Sequence, residues 1–157
     1  MNLVPANAEH LTVLKTWFPD LKSAQEWGGP AIRHPFTAAA FLEDIHWQKM
    51  TAYSLLGEEN KLTGFGQFYE KAGRCHLARL VVAPSHRSRG IGHQFIRELM
   101  KVGMRELGVN ECSLFVMHSN KNAIRCYTSL NFVSAPYPPG QKIFSDIGFM
   151  VCRPTRT

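Results

Sequence analysis

The chain has 157 residues, 45% hydrophobic and 19% charged, the make-up of an ordinary globular protein, and we read residues 1–157 as one domain large enough to enclose a core. No apolar run reaches the length of a membrane span, and Met1 to His10 lacks the cationic start and apolar stretch of a signal peptide, so membrane partners are set aside and a cytoplasmic location is expected. The net charge of +6 is concentrated: Lys71 to Arg105 carries eight basic residues against Glu98 alone, a net of +7, which leaves the rest at −1.

After a short opening strand, the region up to about Gln48 reads as helical. Leu11, Leu14 and Phe18 share a face, Ser23 to Trp27 makes a second short helix, and Gly28-Gly29-Pro30 breaks the chain. Thr37 is placed to cap a helix carrying Phe41, Leu42 and Ile45. Thr51–Leu56, Lys61–Lys71 and Arg74–Val82 read as three strands. Their links, Gly57-Glu58-Glu59-Asn60 and Ala72-Gly73, are turn-like, so the three form an antiparallel meander.

A polar loop, Ala83 to Gly92, leads into a long helix. Ile91, Phe95, Ile96, Leu99, Gly103 and Leu107 line one face of that helix, and Gly108 stops it. Ser113–Met117 is a short apolar strand, and Asn120–Leu130 is a helix. Phe132–Ala135 and Ile143–Cys152 close the chain as strands around a turn at Pro136–Gly140. The fold class is therefore α/β with a mixed sheet. The strand ending at Val82 and the one starting near Ser113 are joined by a helical crossover, which makes them parallel neighbours.

Four cysteines, Cys75, Cys112, Cys126 and Cys152, form no C-x-x-C pair and no cluster with histidine. They are expected to be reduced, mostly buried thiols, and no metal is expected.

The sharpest local feature is Arg87-x-x-Gly90-x-Gly92 between a strand and a long helix. A helix start offers free N–H groups and a partial positive charge. Two glycines let the backbone approach a bulky anion, and Arg87 and Arg89 add charge-assisted bonds. That chemistry suits a pyrophosphate. A P-loop is excluded because no Gly-Lys-Ser/Thr follows, and a dinucleotide fold because G-x-G-x-x-G is missing and the preceding strands form a meander.

The stretch Leu77 to Gly92 resembles the strand-and-loop motif of the GNAT superfamily of N-acetyltransferases. A second stretch, Asn120-x-x-Ala123-x-x-x-Tyr127-x-x-Leu130-Asn131-Phe132, resembles its second cofactor segment, with Asn131 where glycine is usual. The resemblance covers Thr51 to Phe132 well and the N-terminal third in outline.

It implies a sheet whose central parallel pair splays at the cofactor, with flanking helices. It implies acetyl-coenzyme A as cosubstrate, with Arg87, Ser88, Arg89, Gly90, Ile91, Gly92 and His93 around the pyrophosphate. The segment Leu80-Val81-Val82 lies along the pantetheine arm, where the main-chain groups of Leu80 and Val82 bond it. Asn120 and Ala123 lie on the second cofactor segment, Asn120 either bonding the arm or capping its helix.

By the same resemblance Tyr127 is the general acid that protonates the departing thiolate. A phenol of pKa about 10 can serve a thiol of pKa about 8.5. His76 falls where some members carry a catalytic glutamate, and a histidine there could accept the proton of the amine. Glu70 is an alternative base.

The acceptor is then a small-molecule or peptide amine, with an acidic balance in residues 1–60 (seven acids, four bases) leaning towards a cation. A homodimer is left open. Two other readings stand beside this one: an acyl-coenzyme A sensing module without catalysis, and a nucleic-acid binder. The second lacks interleaved aromatics and a base-reading helix face.

Overall fold

A computed structural model describes residues 1–87 and 89–154. In chain order the elements are β1 (Asn2–Pro5), α1 (Ala8–Lys15), α2 (Leu21–Gly28), α3 (Ala38–Asp44), β2 (Thr51–Leu56), β3 (Leu62–Lys71), β4 (Arg74–Val82), α4 (Ile91–Leu107), β5 (Cys112–Met117), α5 (Lys121–Ser129), β6 (Val133–Ser134) and β7 (Ile147–Cys152). The helix starts are set by side chains. Asn7 and Asp20 each form a reciprocal cap with the residue three positions on, and Thr37 accepts from the N–H of Ala40. Such a cap is worth about 1 kcal/mol.

One seven-stranded sheet runs in the order β1-β2-β3-β4-β5-β7-β6. β1 to β4 are antiparallel neighbours, and β4 and β5 form the expected parallel pair. The last two strands are shorter than the sequence suggests. Pairing in β6 is confined to Val133–Ser134, and β7 starts at Ile147, not at Ile143. Between them the Tyr137 hydroxyl donates to the carbonyl of Ile147 at 2.5 Å, so this segment satisfies its main chain through a side chain.

Each face of the sheet is covered. α4 and α5 pack on one face, burying Phe95, Leu99, Met100, Leu77, Leu114, Tyr127 and Phe132. The helices α1 to α3 cover the opposite face over Leu62 and Phe65, with Leu11, Leu14, Phe18, Ile32, Phe41 and Ile45. Gly66 in β3 lets α4 lie close: a Cβ there would meet Leu99 Cδ2 at 2.7 Å. Cys75, Cys112 and Cys152 sit side by side across β4, β5 and β7, all buried as free thiols, and Cys126 is half-buried.

Candidate active site

The parallel pair is short. Only Cys75, His76 and Leu77 of β4 have partners in β5, the last being Leu77 opposite Leu114. β4 nevertheless runs on to Val82 and β5 to Met117. The strands part after Leu77, and burial follows: Cys75 to Leu77 are buried, whereas Ala78 to Val82 are half-exposed.

A bulge accompanies the parting. Phe65 pairs with Val81 and Gln67 with Ala78, so Arg79 and Leu80 together face Gly66. Arg79 takes a left-handed conformation (φ 51°) to absorb the extra residue. Its carbonyl accepts from the Trp27 indole Nε1 at 2.8 Å, which ties the bulge to α2. Beyond it the Ala83 N–H donates to the Thr63 carbonyl at 2.8 Å. By strand alternation Val81 turns its main chain to β3, and Leu80 and Val82 turn theirs into the gap that β5 has left. The Val82 carbonyl there accepts from Arg87 Nε at 3.1 Å.

At the mouth of the gap, Gly90 takes φ 75° at the start of α4, with open space where a side chain would stand. The first main-chain bond within the helix runs from the Gln94 N–H to the Gly90 carbonyl. The N–H groups of Ile91, Gly92 and His93 therefore have no intrahelical acceptor and lie where the axial dipole is positive. Arg87 and Arg89 flank the turn and are exposed. Ser88, the remaining residue expected here, lies outside the described residues. A glycine cradle, free N–H groups and two guanidinium groups fit a pyrophosphate, and the main chain of Leu80 and Val82 fits an amide-bearing arm.

α5 closes the other side. Asn120 Oδ1 accepts from the Ala123 N–H at 3.3 Å, so Asn120 caps the helix. Asn131 takes the left-handed position at its end (φ 71°). Tyr127 is 9% exposed and lies in the same apolar cluster as Leu80, Val82 and Ala123. Among the described residues its hydroxyl makes no hydrogen bond. Burial pushes the phenol above its ordinary pKa, so it stays protonated at working pH.

The surroundings of His76 argue against the base role expected for it. It is 3% exposed, between Tyr69, Phe115 and Phe149, with Nδ1 2.8 Å from the Ser113 hydroxyl. Desolvation, helped by Lys71, brings its pKa down to about 3. The alternative, Glu70, spends its carboxylate on the Gly73 N–H in the β3–β4 turn. The contacts of Trp27, Gln67 and Ser113 escaped sequence reading, because their partners are long-range and no local pattern marks them.

The sequence model of the acetyltransferase (GNAT) family matches residues 18–132. Spermidine N-acetyltransferase from Vibrio cholerae, solved with coenzyme A and spermine, superposes with a TM-score of 0.72 at 15% identity, over 96% of this chain and 94% of that one. The ribosomal-protein-S18-alanine N-acetyltransferase of Escherichia coli superposes with a TM-score of 0.65 at 17% identity, over 96% and 91%. Among the described residues no group of three or more His, Cys, Asp or Glu could hold a metal ion, and no helix is long and apolar enough to cross a membrane.

Proposed function

This chain belongs to the acetyltransferase (GNAT) family, and we propose that it transfers the acetyl group of acetyl-coenzyme A directly to a primary amine, with Tyr127 as general acid. It is an acyltransferase that uses acetyl-coenzyme A as cosubstrate. The thioester supplies an activated acyl group on a thiolate leaving group. What carries the reading is the parting of β4 from β5 after Leu77, between a helix that starts on glycine and a helix that bears Tyr127.

In this reading the N–H groups at Gly90 to His93, with Arg87 and Arg89, hold the pyrophosphate. Leu80 and Val82 bond the pantetheine arm through their main chain and aim the acyl carbonyl. Tyr127 delivers its proton to the sulfur as the bond breaks.

Amine deprotonation is assigned to solvent at the open end of the gap. A lysine-like amine of pKa about 10.4 releases its proton to bulk solution at pH 7.4 for about 4 kcal/mol. Handing it to a histidine of pKa about 3 spans about seven pKa units, on the order of 10 kcal/mol. A protonated His76 is therefore a costlier intermediate than release of the proton to bulk solution, and in this reading His76 contributes to the aromatic floor of the site. The named substrates of the two neighbours, a polyamine and a ribosomal-protein alanine, leave the acceptor class open.

Thermal unfolding with coenzyme A tests the reading. Saturable stabilisation at sub-millimolar ligand, with thiol release from acetyl-coenzyme A on adding amines, is expected. A folded sample with no shift at millimolar coenzyme A would refute the cofactor assignment.

A further inference from the structure

Resting on the transferase reading, we propose that Trp27 is a positioning residue for acetyl transfer: its indole N–H aims and polarises the Leu80 N–H that receives the acyl carbonyl. One peptide unit joins the two. Trp27 Nε1 donates to the Arg79 carbonyl at 2.8 Å. That carbonyl and the Leu80 N–H belong to the same planar trans amide, in which they point in opposite directions. Trp27 comes from α2, on the face of the sheet that α1 to α3 cover. The Leu80 N–H therefore points away from α2, towards the face where Leu80 packs in one cluster with Tyr127.

This is the peptide unit of β4 that the sheet does not hold. The β3 register passes from Ala78 to Val81, so Arg79 and Leu80 stand outside the ladder, and pairing with β5 has already ended at Leu77. Two contacts replace the ladder. One is the indole bond. The other is the packed side chain of Arg79, whose Nη1 donates to Gln67 Oε1 at 3.1 Å and whose Nη2 donates to the Asp44 carbonyl at 3.2 Å. Gln67 is fixed in turn, its Nε2 donating to the Ile45 carbonyl at 2.8 Å. The side chain keeps Arg79 in its left-handed conformation, φ 51°, which a residue with a Cβ holds only where its surroundings over-determine it. The indole then sets the plane of the amide that follows.

The donor itself is held firmly. Its ring stacks on Phe18, with centroids 4.4 Å apart and 20° between planes, and lies 6.1 Å from Phe41 and 6.2 Å from Phe65. A tryptophan in a core commonly finds some carbonyl for its N–H. Here that carbonyl belongs to the amide whose N–H faces the gap. Hydrogen bonds in a chain polarise one another, so a donor on the Arg79 oxygen makes the Leu80 N–H a stronger donor.

That strength matters at one moment. The amine nitrogen bonds the acyl carbon and the C=O pair moves onto oxygen. The pair returns as the C–S bond breaks, and sulfur leaves with its own pair and takes the Tyr127 proton. A donor already aimed at the oxygen stabilises the charged transition state more than the neutral thioester.

The test removes the N–H and keeps the packing. Trp27→Phe leaves a ring in the stack, and Trp27→benzothienylalanine keeps the whole bicycle with sulfur in place of N–H. Thiol release from acetyl-coenzyme A is followed with hexylamine, spermidine and an alanyl peptide as acceptors. In both variants kcat should fall about tenfold, the range of one hydrogen bond. Coenzyme A affinity should be unchanged, since coenzyme A has no acyl carbonyl to place there.

Infrared spectra of bound acetyl-coenzyme A, labelled with carbon-13 at the acyl carbonyl and recorded without amine, read the contact directly. In the parent the carbonyl band should lie below that of free acetyl-coenzyme A, and in both variants it should move back towards the free value. A parent that shows the lowered band and its reversal, yet releases no thiol, refutes the transferase reading and leaves this contact standing. A band or a kcat unchanged in the benzothienylalanine variant, or a fall in kcat matched by an equal loss of coenzyme A affinity, would overturn the proposal.

Discussion

The Nδ1 atom of His76 and the hydroxyl of Ser113 stand 2.8 Å apart across the β4–β5 pair, one step before the strands part. The contact closes the base of the gap with a polar pair inside an aromatic cluster. Burial, helped by the charge of Lys71, keeps the imidazole neutral in a place where a charge has no solvent.

This makes His76 a source of acid sensitivity. Its folded pKa, about 3, lies below the unfolded value of 6.5, so the unfolded chain takes up a proton between those limits and the folded chain does not. The stability tied to the neutral ring is complete above pH 6.5. It is lost as pH falls towards 3, at up to about 1.4 kcal/mol per pH unit. His76→Gln, which can still bond Ser113, should flatten that loss in denaturant titrations from pH 7 to 4. The same variant should keep kcat within a few-fold of the parent at pH 8. A parallel decline in both proteins, or a collapse of kcat that raised pH rescues, would return the base role to His76.

Tyr127→Phe removes one oxygen and keeps the ring that packs against Phe132. If the phenol protonates the thiolate, the loss falls on the transition state and not on cofactor binding. A fall in kcat of about 100-fold is expected, the lower end for general acid catalysis because a thiolate leaves tolerably well unaided. Coenzyme A affinity should be unchanged. Near-parental kcat with chemistry rate-limiting would make Tyr127 a packing residue.

Gly90 separates the fold from the cofactor site. Its φ of 75° suits asparagine far better than a β-branched residue. Gly90→Val should lose about 1–2 kcal/mol of stability through backbone strain alone. Gly90→Asn should fold as the parent does, yet bind coenzyme A about tenfold more weakly, because its side chain occupies the approach to the free N–H groups. Unchanged coenzyme A affinity in the folded asparagine variant would place the pyrophosphate elsewhere.

Much of this protein was legible in the sequence because the signals are local. Alternation and tight turns marked the meander, and the 3.6-residue period marked α4. Thr37, Gly108 and Asn131 act through their own backbone conformation or nearest N–H. The glycine loop was readable for the same reason, since a turn and a helix start need nothing distant.

Tertiary packing alone decided the rest. Where β4 leaves β5, which residue forms the bulge, and that a tryptophan 52 positions earlier holds it depend on contacts between separate elements. The pKa of His76 follows from the aromatic rings and hydroxyl brought around it by folding, since desolvation belongs to the enclosure and not to the residue.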